Sequence, residues 1–329
     1  MTVRVGVAGL GIMGLEHVRQ LVDLPLAEVV ACCDPSPGAQ LRAPKGVPAF
    51  GSVPEMVRSV ELDGVVIASP PDAHIEPVRS ALEAGLHVLC EKPLATSLAH
   101  AQALLDLDAR FPERLVIGHV RRFDPRFVAV RAALDDGVLG RPLHLTGMIQ
   151  CPRADAERLA ASVSLALELA VHDIDIMRWL AGDVLRVHAE SVDVFPTRGP
   201  DAFTATLAFA SGAVGALHHG WTLPAGTPLD FAFRFTVAGT DGFAEIDGTD
   251  RGVALFGPKA PELYPDTVSR AAVRAQDEQF LRRIRDGDSW PVSVADAYAA
   301  VSVALAIDAS IARGLPVTPQ RPAERVESK

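Results

Sequence analysis

An α/β fold is predicted for this chain of 329 residues: a doubly wound parallel sheet at the N-terminus, then an α+β domain with an open, mostly antiparallel sheet. Three observations predict it. Short valine-rich runs alternate with helical patterns as far as about residue 118, the pattern of strands buried on both faces and joined by crossover helices. A glycine turn, Gly9-Leu10-Gly11-Ile12-Met13-Gly14, follows the first run and opens the first helix. Beyond about residue 120 the strands follow one another directly, with turn residues between them.

In order, Val3 to Ala8, Val29 to Cys33, Val65 to Ala68, Val88 to Cys90 and Leu115 to Ile117 read as strands, and Met13 to Val22, Ala73 to Ala84 and Leu98 to Ala109 as helices. Gly85 and Gly137 stand where helices end in a left-handed residue. In the second part a helix over Pro125 to Asp135 precedes a strand over Leu143 to Ile149 and a long helix from Leu165 to Leu180. Strands follow over Arg186 to Phe195, Phe203 to Phe209, Val214 to Trp221, Phe231 to Val237 and Ala244 to Ile246; Ser211-Gly212 and Thr240-Asp241-Gly242 join two pairs of them as turns. Helices over Arg270 to Arg285 and Val294 to Arg313 close the chain, and the proline-bearing stretch from Pro316 reads as a loose tail. The expected division is therefore 1–120, 121–315 and a polar tail over 316–329.

Composition narrows the function classes. A formal net charge of -10 without a basic block argues against nucleic acid and anionic membrane as partners. The start of the chain reads as a strand and not as a secretory signal. The apolar stretch nearest to a membrane span, Ala160 to Leu180, is broken by Glu168, His172, Asp173 and Asp175. Cys32, Cys33, Cys90 and Cys151 show no Cys-x-x-Cys spacing, so they read as buried reduced thiols of a cytoplasmic protein, with no metal site.

The glycine turn carries the first chemistry. Gly9 permits a tight turn, Gly11 lets a pyrophosphate approach the backbone, and Gly14 allows close packing of helix on strand. The helix start that follows offers unpaired amides to phosphates. Asp34 ends the second strand, where a carboxylate accepts hydrogen bonds from the adenosine ribose. That carboxylate repels a 2′-phosphate, which favours NAD over NADP; Pro35-Ser36-Pro37 supplies no arginine, and Arg42 lies too far along to do so. The second element is Cys90-Glu91-Lys92-Pro93-Leu94, at the carboxyl end of a strand, where ligands of open α/β sheets bind. Lys92 there reads either as an acid–base group or as a solvated loop lysine. The third is Glu168, His172 and Asp175, spaced to share one face of a long apolar helix, with Asp173 off that stripe and solvated. A polar stripe on a buried helix needs partners or a cleft.

With these residues, Ser69-Pro70-Pro71-Asp72-Ala73-His74, the stretch Gly118-His119-Val120-Arg121-Arg122-Phe123-Asp124-Pro125, the run His172-Asp173-Ile174-Asp175, and later Ala238 to Gly242 and Pro291 to Asp296, the chain resembles the glucose–fructose oxidoreductase/inositol dehydrogenase/rhizopine catabolism family over nearly its whole length. The resemblance implies a Rossmann domain followed by an α/β domain whose open sheet lies beside the active site. It implies a hydride-transferring enzyme that acts with NAD on a hydroxyl or keto group of a cyclitol or sugar. Gly9, Gly11, Ile12, Met13 and Gly14 with Asp34 would bind the cofactor, Ser69, Pro70 and His74 would lie along it, and Glu91 would stand near the nicotinamide ribose. Lys92 would contact the reacting hydroxyl, His172 matches the catalytic histidine, Glu168 and Arg121 would complete the substrate site, and His17 would be structural. Asp175 either orients His172 or belongs to a polar network. The chain departs from the inositol dehydrogenase pattern in carrying Glu168 for an aspartate, Ile149 and Gln150 where a pocket histidine stands, and His219 and Trp221 with no tyrosine over residues 213–240. These departures put inositol itself in doubt without removing redox chemistry. A homodimer or homotetramer is expected. The alternatives are an NADPH-dependent keto-sugar or sugar-nucleotide reductase and a dinucleotide-binding regulator without chemistry, which a turnover assay and a cofactor titration separate.

Overall fold

The computed structural model describes residues 2–159, 163–195, 199–224, 232–248, 253–256, 262–264 and 270–323. The valine-rich runs of the N-terminal part lie side by side in it as one parallel sheet. Its strands are β1 (Val3–Ala8), β2 (Ala27–Cys33), β3 (Ala49–Phe50), β4 (Gly64–Ile67), β5 (His87–Glu91) and β6 (Leu115–Gly118), in the order β3-β2-β1-β4-β5-β6. Order reverses between β1 and β4, and such a reversal opens a crevice at the carboxyl ends of the strands. The crossovers are α1 (Ile12–Val22), α2 (Pro37–Gln40), α3 (Val53–Ser59), α4 (Ile75–Glu83) and α5 (Leu98–Arg110). Gly85 ends α4 at φ +81°, as expected. α3 was not anticipated because seven residues hold too little periodicity, although Ser52 caps it by accepting from Glu55 N at 3.4 Å.

The chain divides into two compact units, 1–124 with 268–298 and 322–329, and 125–267 with 299–321. The return of 268–298 to the first unit differs from a linear division at 120 and 315. The reason is apolar burial: Phe280 and Leu281 of α9 (Arg270–Asp286) lie in one buried cluster with Val3, Val5 and Val7 of β1. Gly64 leaves the room for it, since a Cβ there would stand 2.7 Å from Ile284 Cδ1.

The second unit holds α6 (Pro125–Asp135), β7 (Pro142–Pro152), α7 (Arg153–Leu159) and α8 (Val171–Ala181). After them come β8 (Val184–Val192), β9 (Ala202–Phe209), β10 (Val214–Leu223), β11 (Ala232–Gly239), β12 (Phe243–Asp247), β13 (Val253–Phe256) and β14 (Glu262–Tyr264). The strands form one sheet in the order β14-β13-β12-β11-β7-β10-β9-β8, antiparallel throughout except where β10 runs parallel to β7. Phe231, expected to open β11, lies outside the described residues. Burial alternates along β9 and β11, so one sheet face is covered and the other open.

The last helix, α10 (Val294–Arg313), is long and apolar enough to cross a membrane by length and composition alone. Most of it is buried in the protein, which is how a core helix behaves. The stretch from Pro316 is not the loose tail that its composition suggests. Val317 and Val187 exchange both backbone hydrogen bonds, at 2.8 and 2.9 Å, and Ser302 Oγ donates to Gln320 O at 2.7 Å. β8 is an edge strand, and its unpaired backbone groups take the tail as a partner; residues 324–329 lie outside the described ones.

Two expectations for the long helix need correction. It is not α-helical throughout: Ala166–Ala170 form a π-turn that leads into α8. And Asp173 is not solvated but fully buried, 2.8 Å from Nε2 of the equally buried His219 on β10. α8 is enclosed on nearly every side, so a residue off the half-exposed stripe points into the core. Gly147 on β7 makes the room, since a Cβ there would stand 2.6 Å from Asp173 Oδ2. Removing one partner of a buried pair leaves the other unpaired, at about 3–5 kcal/mol. Asp173→Ala is expected to lower the unfolding free energy by about that much in urea denaturation, and Ala at the exposed Glu190 to change it by no more than about 0.5 kcal/mol.

Candidate functional site

The glycine turn has the geometry its spacing predicts. Gly9 sits at φ +90°, and a Cβ on it would come within 2.6 Å of the Ala68 carbonyl group. A Cβ on Gly14 would stand 1.7 Å from Gly9 O, whereas one on Gly11 would meet nothing within 4 Å. The turn is thus tight where strand and helix meet and open above Gly11. No side chain caps the start of α1, so its first amides stay available, and Ile12 beside them is 69% exposed. An open approach over Gly11, an uncapped helix start and the room around them fit a pyrophosphate.

Asp34 follows β2 and is oriented by its own backbone surroundings. Its Oδ2 accepts from Leu10 N and its Oδ1 from Ser36 N, both at 2.9 Å. Arg42 comes closer than its sequence distance implied. The short α2 turns the chain back, and Arg42 Nη1 donates to Leu10 O at 3.1 Å. Leu10 therefore meets a carboxylate at its amide and a guanidinium at its carbonyl, so a cation stands near Asp34.

At the end of β4, Ser69 Oγ is buried with no protein partner, an orphaned hydroxyl at the crevice and one that a ligand could satisfy. Pro70 precedes the short turn that leads to α4. His74 is not laid open along this edge: it is 1% exposed, with Nε2 2.9 Å from Ser69 O and Nδ1 3.1 Å from Leu94 O. Burial pushes its imidazole below the ordinary histidine value, against the two carbonyls. A neutral ring donates to only one of them at a time. His74 thus braces the loop after β4 against the segment that follows Lys92.

Glu91 closes β5 with 4% exposure, and its carboxylate is engaged inside the protein. Oε1 lies 3.0 Å from His17 Nε2 and accepts from Gln276 Nε2 at 3.3 Å; Oε2 accepts from Lys92 N at 3.1 Å. Lys92 follows, half-buried, at the carboxyl edge of the sheet, and its peptide to Pro93 is cis. Arg121 is half-buried in the turn after β6. In the second unit, Glu168 lies in the π-turn and His172 in the first turn of α8, both half-buried among buried neighbours. Asp175, three positions after His172 in α8, is 1% exposed.

The positions that differ from the inositol dehydrogenase pattern separate into core and surface. His219 and Trp221 are buried, at 0% and 3% exposure. Gln150 lies half-buried on β7, with its amide oxygen accepting from Thr222 Oγ1 at 2.5 Å. The four cysteines are free and buried, and burial raises Cys32 to about 11 and Cys33 to about 12. Sequence reasoning did not find the partners of His17, because Asp277 stands 260 positions away.

Comparison with known proteins adds three findings. A family model described as "Oxidoreductase family, NAD-binding Rossmann fold" matches residues 3–119, and the "GFO/IDH/MocA C-terminal domain" matches residues 127–245. The chain is 32% identical over 322 residues to the rhizopine catabolism protein MocA of Rhizobium meliloti, covering 95% of this chain and 96% of the relative. It is 29% identical over 332 residues to the scyllo-inositol 2-dehydrogenase (NAD(+)) of Bacillus subtilis (strain 168), covering 96% of each. In fold it is similar to the scyllo-inositol dehydrogenase from Lactobacillus casei solved with bound NAD(H) and scyllo-inositol, at a TM-score of 0.84 and 22% identity over 97% and 99% of the two chains.

The Asp34 carboxylate and the Arg42 guanidinium bring opposite charges to Leu10, and opposite charges act oppositely on a phosphate placed beside them. Calorimetric titration is expected to give a tighter constant for NAD than for NADP. Asp34→Ala should narrow that preference, and adding Arg42→Ala to it should weaken NADP binding by about tenfold, as loss of a charge-assisted contact does.

Proposed function

Because the chain belongs to the GFO/IDH/MocA oxidoreductase family, we propose that it transfers hydride between NAD and a secondary hydroxyl or keto group of a cyclitol or sugar. The observation that carries this reading is the convergence at the carboxyl edge of the parallel sheet. There the glycine turn follows β1, Asp34 follows β2, the orphaned Ser69 hydroxyl follows β4 and Glu91-Lys92 ends β5. The nicotinamide of the bound cofactor supplies the hydride acceptor or donor. The remaining tasks fall to the chain.

Gly9, Gly11, Ile12, Met13 and Gly14 receive the pyrophosphate, and Asp34 the adenosine ribose. Ser69 and Pro70 line the approach to the nicotinamide end, and His74 and Glu91 hold the loops that frame it. In the oxidative direction Lys92 or His172 takes the hydroxyl proton while the carbinol carbon gives up hydride; in reverse the same group returns the proton. Glu168, four positions before His172 in the chain, orients that histidine, and Arg121 contacts the substrate. The carboxylate at position 168 stands on a stem one methylene longer than the family's aspartate and starts from a π-turn. A π-turn re-aims the side chains it carries. The substrate is accordingly a cyclitol or sugar for which that reach is right.

We also propose that the protein works as a homodimer or homotetramer in the cytoplasm. Its open sheet face carries Val192, Val214 and Phe243 at 50%, 48% and 36% exposure, separate apolar side chains that a second copy would cover. Light scattering on the purified protein is expected to return the mass of two or four chains; a stable monomer overturns this.

A panel of cyclitols, aldoses and keto-sugars, followed by reduced-cofactor absorbance, is expected to contain a substrate. With it, Lys92→Met should lower kcat by about 10²-fold or more, as for loss of an acid–base group, with NAD affinity little changed. Glu168→Gln and Glu168→Asp should both be impaired, the latter because misplacement by about 1 Å costs on the order of 10²-fold. His172→Asn should lose turnover with its melting temperature kept. Normal kcat/KM in the Glu168 and His172 variants, with lowered thermal stability alone, would assign both to the core.

A further inference from the structure

Three side chains that the proposed chemistry leaves unused meet Glu91 in the interior of the first unit. His17 on α1 is fully buried, and both ring nitrogens face carboxylates: Nδ1 lies 2.7 Å from Asp277 Oδ1 and Nε2 lies 3.0 Å from Glu91 Oε1. Asp277 and Gln276 on α9 are fully buried as well, and Gln276 adds its amide to the same Glu91 oxygen. The second Glu91 oxygen accepts the backbone N–H of Lys92. Gly118 on β6 is shaped to admit the carboxylate, since a Cβ there would stand 2.6 Å from Glu91 Oε1.

With both carboxylates ionised, it is an imidazolium that satisfies this arrangement. A neutral ring donates from one nitrogen and would aim a lone pair at the other carboxylate. Burial opposes the charge, but Asp277 and then Glu91 outweigh it and raise His17 to about 10. Burial likewise opposes ionisation of Glu91, and the His17 hydrogen bond and charge, with Lys92 and Gln276, hold it below the ordinary carboxylate range. Asp277 is lifted by burial against the pull of His17, with Glu91 and Glu16 adding to the rise. The Cys90 thiol and the His74 ring also feel the Glu91 charge. Glu91 is thus kept as a carboxylate by a buried cation, and as a carboxylate it fixes the main chain from which the Lys92 side chain departs.

We propose that His17, Asp277 and Gln276 are positioning residues for the reaction, holding Glu91 on the Lys92 amide and so setting where the Lys92 ammonium stands against the reacting hydroxyl. The proposal rests on the reading that Lys92 exchanges the hydroxyl proton. It makes α9, far along the chain from the glycine turn and from Lys92, part of the catalytic geometry. A merely structural cluster would tie α9 to α1 and leave turnover alone.

The experiment compares His17→Gln, Asp277→Asn and Gln276→Met with wild type and Lys92→Met at a temperature where all are folded. It measures kcat, KM, NAD affinity by calorimetry and the pH dependence of kcat. We expect Asp277→Asn and His17→Gln to lose about tenfold or more in kcat, with NAD affinity changed less than about threefold. The fall of kcat on the acid side should set in at a pH higher by about half a unit or more, because Glu91 without its buried cation protonates more readily and its hold on the Lys92 amide weakens. Nitrogen NMR of the wild type should show both His17 ring nitrogens protonated at pH 8, and Asp277→Asn should abolish this. Wild-type kcat and pH profile in the His17 and Asp277 variants, beside an inactive Lys92→Met, overturn the positioning role alone. Full turnover in Lys92→Met removes the reading beneath it. A neutral His17 in wild type at pH 8 overturns the proposal without recourse to any variant.

Discussion

The close approach of Gly14 to the carbonyl of Gly9 is the constraint on which the first unit is built. No side chain fits between them, since a Cβ on Gly14 would overlap that oxygen at 1.7 Å. With the Cβ absent, α1 starts directly from the end of β1, and its amides open on the crevice beside β4. Three residues on, and therefore on the same side of the helix, His17 is buried with Gly14, Val18 and Leu21. The contact that sets the start of the helix also carries a histidine into the interior, where it meets the carboxylate beside Lys92.

Both units bury a histidine against carboxylate, but to different effect. His219 meets Asp173 through one nitrogen, and its Nδ1 has no hydrogen-bond partner; a single donor suffices there. His17 is held through both nitrogens, and between two ionised carboxylates the cation meets that demand. A buried pair is weak evidence for added stability, because apolar residues of similar volume often do as well. Its distinctive property is geometric: each partner tolerates few other positions. On α8 that property sets the helix on β7 and β10. On α1 it holds Glu91, whose other oxygen accepts the Lys92 amide.

The apolar face of each sheet accounts for most of the fold, and the polar exceptions mark where the chain does something else. The half-buried Glu168 and His172 interrupt a helix whose other positions are nearly all buried, and the π-turn lies at this interruption. Near Asp34 the same holds in miniature. The loop after β2 has little apolar content of its own and is ordered by the Asp34 carboxylate, the Gln40 amide and the Arg42 guanidinium.

Periodicity and turn chemistry in the chain determined five of the six strands of the parallel sheet, the two-residue β3 excepted, with the long crossover helices, the glycine turn and the positions of Asp34 and Lys92 at strand ends. These features depend on neighbours within a few residues: alternation of apolar side chains, a cap, a glycine at positive φ. The closing helix over Val294 to Arg313 was legible for the same reason. Tertiary structure alone decided that α9 returns to the first unit, that the stretch from Pro316 covers the edge of β8, that Arg42 folds back onto Leu10 and that Asp173 is buried. It also decided that His17 joins Glu91 to Asp277 across 260 positions. A sequence pattern records which face of an element is apolar, whereas the partner of a buried polar group is chosen by how distant segments close upon one another, and no local periodicity carries that choice.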